Sequence, residues 1–214
     1  MSAVERRVET PHGQARVVTH RARSPRATVL LSHGAGNGID TADLEALATH
    51  LPRQGVTVVL LEQPWKVAGR KVATPPRTLD DGLLAVANAL RVRTPLVVGG
   101  RSAGARSAAR SARHLGAVGC LALAFPLHPP GHPEKTRLDE LRGAKVPTLV
   151  IQGERDPMGR PEEFPADLDH VDLTVVPAAD HGLKVPRNGP ISQSDALGIV
   201  VESTLEWLVR EIVG

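Results

Sequence analysis

Aromatic residues are nearly missing from this sequence: two Phe, two Trp and no Tyr stand among 214 residues. The core must therefore be aliphatic. A single cysteine, Cys120, excludes an internal disulfide and suits a reducing cytosol. Set in the apolar run "GCLALAF", it reads as a buried structural thiol. No apolar run approaches the roughly 18–20 residues that a membrane-spanning helix needs. The opening "MSAVERRVETPHG" has charges but no apolar segment of a secretory signal. A cytoplasmic location with no membrane partner is expected. Internal repeats and long low-complexity linkers are also absent, so residues 1–214 are read as one domain.

Positive charge is in modest excess, +3 with a pI near 9.5. The arginines are scattered through "VERRVE", "HRARSPRA", "AGRKVA" and "RVRTP" without aromatic interleaving or a recognisable binding module. A solvated basic surface is the expectation, and no nucleic-acid partner.

Apolar runs supply the fold class. "RRVETPHGQARVVTHR" predicts two strands in a hairpin around Pro11-His12-Gly13. "ATVLLSHGAG", "VTVVLLEQP", "PLVVGG", "GAVGCLALAFP", "VPTLVIQGERDP" and "VDLTVVPAADHG" read as strands. Between them lie helical patterns. "TADLEALATHLPRQG" places Leu44, Leu47, Ala48 and Leu51 on one face, with Thr41 and Asp43 as candidate caps. "TLDDGLLAVANALRV", "ARSAARSARHL" and Ser192 to Val213 supply further helices. Alternating strands and helices predict an α/β fold whose mostly parallel sheet is covered on both faces. Reactive groups in such a sheet collect beyond the carboxyl ends of the strands.

The stretch "GRSAG", Gly100 to Gly104, fits G-x-S-x-G at a strand-to-helix turn. Small flanking residues let strand and helix approach closely, and the turn lifts the Ser102 hydroxyl above the sheet. A serine hydroxyl needs a base oriented by an acid, in the chain order Ser, Asp or Glu, His. Asp156 in "IQGERDPMG" and His181 in "PAADHGLK" lie just beyond successive strands and are the expected acid and base. Glu154 is the competing acid and Asp180 a weaker one. Backbone N–H groups of Ala103 and of Ala35, with Gly34 as the near alternative, are the expected oxyanion donors. The "SHGAGNG" loop carries no Gly-Lys-Ser/Thr, so no phosphate loop and no cofactor are expected. Gly34, Arg101 and His128 are the expected substrate contacts. Arg101 is open to two readings, a substrate carboxylate or an acidic neighbour inside the protein. His128 and His132 in "FPLHPPGHPEKTR" lack a third ligand pattern, so no metal is expected.

The segments "LLSHGAG", "VVGGRSAGAR", "FPLHPPGHPEK", "IQGERDPMG" and "ADHGLK" resemble the α/β-hydrolase superfamily over nearly the whole chain. More narrowly they resemble a small group of dienelactone-hydrolase-like bacterial proteins. Its eukaryotic relatives are subunit 3 of the non-specific-lethal histone acetyltransferase complex and a testis-expressed protein. The resemblance implies the fold and a triad of Ser102, Asp156 and His181. It does not imply a substrate, and dienelactone hydrolase proper has a cysteine where Ser102 stands. The function expected is a serine hydrolase acting on small carboxylic esters. A binding protein on a hydrolase fold and an acyl or peptide-bond hydrolase are the alternatives. The interval Pro126 to Pro147 is stiff with proline and offers no continuous apolar face for a cap, which predicts an open site.

Overall fold

The computed structural model describes residues 3–71 and 75–214. Strands β1 (Val4–Thr10) and β2 (Gly13–His20) form the hairpin, and Gly13, at φ 106°, supplies the left-handed backbone of its turn. Six further strands follow: β3 (Ala27–Ser32), β4 (Val56–Glu62), β5 (Leu96–Arg101), β6 (Gly119–Leu123), β7 (Thr148–Gly153) and β8 (Val171–Val176). They join one eight-stranded sheet in the order β1-β2-β4-β3-β5-β6-β7-β8, antiparallel only at β1–β2 and β2–β4. The chain winds from β3 to β4 on one side and from β5 to β8 on the other. The direction of winding therefore switches between β3 and β5, paired with Ser32 opposite Gly100, and ligands in such sheets bind beyond the carboxyl ends of the strands at this point.

Among the described residues six α-helices accompany the strands: α1 (Ala42–His50), α2 (Pro64–Val67), α3 (Pro76–Leu90), α4 (Ala103–Ser111), α5 (Leu138–Ala144) and, after β8, α6 (Gln193–Leu208). Alternate strand residues face opposite sides. Val29, Leu31, Val58 and Leu60 pack with Leu44 and Leu47 of α1 and with Val200 and Trp207 of α6. Leu30, Val59, Leu61 and Val98 pack with α3, α4 and α5. Both faces are thus covered, and the core is aliphatic apart from a few residues such as Trp207 and Phe125. Cys120, fully buried in β6, has its thiol pushed up to about 12 by that burial. Between β6 and β7 the chain holds a proline-rich loop and α5, with no cap domain. Among the described residues, no helix is long and apolar enough to cross a membrane.

Several local expectations change. Thr41 is the N-cap residue of α1, but its side chain makes no capping bond and its buried hydroxyl lacks a partner. The other candidate cap, Asp43, is buried and turned toward Arg101. Pro64 ends β4 but also begins the short α2, because a proline at the first helical position gives up no needed N–H. The last helix is α-helical only to Leu208 and closes in a π-helical turn, Val209–Val213. At the edge strand β8, Leu173 and Val175 share one face and are more than a third exposed.

Candidate active site

Backbone geometry puts Ser102 at the sharp turn beyond the carboxyl end of β5. It follows β5 directly and precedes α4, with φ 54° and ψ −113°. A non-glycine residue there stores strain on the order of 1–3 kcal/mol, which the surrounding packing must hold. The packing is tight: a Cβ on Gly100 or Gly104 would collide with the carbonyl oxygen of Ser32. A Cβ on Gly34 would lie 3.2 Å from that of Ser102. The β3 loop therefore runs against the serine.

His181 and Asp156 arrive from the loops after β8 and β7. The Ser102 hydroxyl lies 2.9 Å from His181 Nε2, and His181 Nδ1 lies 2.8 Å from Asp156 Oδ2. A carboxylate only accepts, so Nδ1 carries the ring hydrogen and Nε2 is left to accept from the serine. Asp156 is fully buried, yet three donors satisfy it: His181 Nδ1, Gln152 Nε2 at 2.9 Å and the Met158 N–H at 2.8 Å. The competing acids face elsewhere. Glu154 accepts from the Ala178 N–H, and Asp180 Oδ1 accepts from the Gly182 and Lys184 N–H groups.

A family model described as an alpha/beta hydrolase domain matches residues 25–209. The chain belongs to the α/β-hydrolase family. Solved structures of similar fold include a serine hydrolase homologue from Coxiella burnetii, 17% identical with a TM-score of 0.76, covering 95% of this chain and 98% of that one. Another is a dienelactone hydrolase from Anabaena variabilis, 18% identical with a TM-score of 0.77 over 99% and 98% of the two chains. A third, from Xanthomonas campestris, is described as an α/β serine hydrolase without a lid. It is 19% identical, with a TM-score of 0.72 over 100% and 97%.

In this α/β-hydrolase Ala103 follows the serine directly, and Gly34, next to Ala35 in the loop after β3, packs against it. Neither the Ala35 nor the Ala103 N–H has an internal acceptor among the described residues, and Ala103 opens α4, where a developing negative charge is favoured. His33, to which the sequence assigned no role of its own, organises this loop. Its Nε2 accepts from the Gln63 N–H at 3.0 Å, so Nδ1 carries the hydrogen given to the Gly34 carbonyl at 2.7 Å. Burial lowers its pKa and keeps it neutral, and its ring meets Trp65 edge to face. The sequence signal was a histidine directly after a fully buried strand. Gln152 was missed too: it reads as one more residue of β7, and nothing in its spacing announces the contact with Asp156.

Two expected substrate contacts are corrected. Arg101 is buried, with Nε 3.0 Å from Asp43 Oδ2 and Nη2 donating to the His181 carbonyl at 2.8 Å. Of its two readings, the internal acid is the one realised. His128 is also buried, with Nδ1 2.9 Å from the Pro129 carbonyl and Nε2 2.8 Å from Glu163 Oε2. Both partners are acceptors, so the ring must carry both hydrogens, and its pKa is raised, first by the Pro129 carbonyl and then by Glu163. Such a ring has no lone pair for substrate or metal. Its neighbour His132 pairs with Glu134.

Proposed function

We propose that the protein is a single-domain serine hydrolase that cleaves small carboxylic esters through an acyl-enzyme, with Ser102 as nucleophile, His181 as base and Asp156 as orienting acid. The observation that carries this reading is the unbroken line of two short hydrogen bonds from the Ser102 hydroxyl through His181 to a buried, triply satisfied carboxylate. His181 Nε2 takes the hydroxyl proton as Ser102 Oγ bonds to the ester carbonyl carbon. The oxyanion is held by the Ala35 and Ala103 N–H groups. His181 then returns the proton to the leaving alkoxide as the C–O bond breaks. Water repeats the sequence and frees the acid. Asp156 stays ionised throughout and stabilises the imidazolium. Removal of one oxyanion donor costs about 3 kcal/mol of transition-state stabilisation.

The motifs shared with the dienelactone-hydrolase-like group place the chain there in this proposal, and Ser102 in place of cysteine separates it from dienelactone hydrolase proper. A short acyl group fits best. The connection between β6 and β7, a proline-rich loop and the short α5, and the scarcity of aromatic residues support that reading. Each methylene left in water forgoes about 0.8 kcal/mol.

A fluorophosphonate probe, followed by peptide mass spectrometry, tests the reading without a known substrate. The label is expected on the peptide containing Ser102 and lost in Ser102→Ala. No label on folded protein would favour the non-catalytic binding protein. With p-nitrophenyl esters, kcat/KM is expected to peak at acetate or butyrate without a rate jump at micelle formation. A maximum at octanoate or beyond would overturn the open site.

A further inference from the structure

We propose that Arg101 is a positioning residue that fixes the loop carrying His181, with Asp43 as its built-in counter-charge. The inference rests on the hydrolase reading above and adds to it the means by which the base is held at its distance from Ser102.

Arg101 is the last residue of β5, so its backbone is as rigid as the centre of the sheet. Its guanidinium meets three elements. Nη2 donates to the His181 carbonyl at 2.8 Å. Nε lies 3.0 Å from Asp43 Oδ2 on α1, a charge contact without an aligned hydrogen bond. Nη1 lies over Gly34, where a Cβ would come within 3.7 Å of it. The other Asp43 oxygen accepts the Leu44 N–H, which holds the carboxylate in place.

The His181 loop needs such a hold. It leaves an edge strand and has no regular structure until α6 begins at Gln193. Its internal turn bonds centre on Asp180 and tie the loop only to itself. On one flank the β7 loop grips it, through Arg155 N–H to Ala179 O at 2.8 Å and Ala178 N–H to Glu154. On the other flank Gln193, at the start of α6, donates to the Leu183 carbonyl at 3.0 Å and accepts the Val185 N–H at 3.1 Å, and at His181 itself the Arg101 guanidinium binds the backbone carbonyl. A fully buried ion pair is poor value for stability alone, because desolvation offsets its attraction. Its location one residue before the nucleophile and one hydrogen bond from the base gives it a different use. A misplacement of about 1 Å in a catalytic group costs roughly 100-fold in rate.

The test compares wild type, Arg101→Ala, Arg101→Lys and the double variant R101M/D43N. The double variant removes both charges together and so leaves no buried charge unpaired if a single variant fails to fold. In the folded variants, kcat on p-nitrophenyl acetate is expected to fall by roughly 100-fold with KM nearly unchanged, and the rate of fluorophosphonate labelling to fall in parallel. Lysine is expected not to rescue, since an ammonium cannot span both partners. Millimolar guanidinium is expected to restore part of the Arg101→Ala rate, while ammonium at equal ionic strength is not. A 530 Å³ cavity lined by Asp43, Arg101, Gly182 and Gln193 gives the small cation a way in. Amide exchange in residues 178–184 should quicken in every variant, whether or not the protein turns over esters.

Unchanged labelling and unchanged exchange in a folded variant would overturn the proposal. So would a loss confined to anionic esters and expressed in KM, which would return Arg101 to the substrate. If wild type carries no label while exchange still quickens in the variants, the hydrolase reading fails and the loop anchor stands.

Discussion

Among the histidine–carboxylate pairs of the described residues, His181–Asp156 and His128–Glu163 have the same length, 2.8 Å. They differ at the other ring nitrogen. His181 Nε2 faces a hydroxyl, which can donate, so the ring keeps a lone pair, as the proposed base requires. His128 Nδ1 faces the Pro129 carbonyl, which only accepts, so the ring is held as a cation and cannot take another proton. A short contact to a carboxylate therefore says little about reactivity. The second partner decides whether the pair is a relay or a clasp.

The widest separation between the pairs is expected from neutralising the two acids. Asp156→Asn should lower kcat on p-nitrophenyl acetate by about 10⁴-fold, because the amide no longer enforces the tautomer that accepts from serine. Glu163→Gln should leave kcat where it was. Similar losses in both variants would erase the distinction between relay and clasp. The competing acid sharpens the same point: Glu154→Gln should cost far less than Asp156→Asn, since Glu154 holds only the Ala178 N–H.

A smaller effect is expected one contact further out. Gln152→Met removes the amide donor from Asp156 Oδ2 and leaves a fully buried carboxylate with two of its three donors. Hydrogen bonds to charged groups contribute about 1.5–3 kcal/mol, so kcat should fall by roughly 10- to 100-fold. A wild-type rate in folded Gln152→Met would mean that His181 and the Met158 N–H suffice to aim the carboxylate.

The smallest effect belongs to the clasp and is read in stability. The His128 pKa is raised above its ordinary 6.5, so its contribution is complete below that value and fades as pH rises through the folded pKa. Glu163 is lowered from 4.5, chiefly by the Arg160 N–H, so its contribution is complete above 4.5 and fades as pH falls through its folded pKa. The Tm difference between wild type and Glu163→Gln should therefore be widest between pH 4.5 and 6.5. It should correspond to at most about 1 kcal/mol, as Glu163 is partly exposed. A difference that grows above pH 8 would show that His128 does not stabilise the loop as a cation.

What could be read in the sequence follows from the range of the forces involved. The elbow around Ser102 is a local object: apolar strand, two small residues, helix, all contiguous. The positions of Asp156 and His181 were legible because each closes an apolar strand, and strand ends in a parallel sheet share one rim. Arg101 was not decidable in this way. Its partner Asp43 lies on α1, and in the sequence Asp43 looked like a helix cap. His128 looked free because Glu163 reaches it only through the folding of two proline-bound loops. Gln152 and His33 act through side-chain contacts that no periodicity encodes. The edge position of β8 depends on strand order, which an apolar run does not reveal.

Cys120 turns the core into its own timepiece. The chain has one thiol, at zero exposure in β6, and burial pushes its ionisation to about 12, so the thiolate that a labelling reagent needs is almost never present while the sheet is closed. A single mass increment on an otherwise unmodified chain would then mark one opening of the central strands. The rate of its appearance in native buffer would count those openings without an engineered probe.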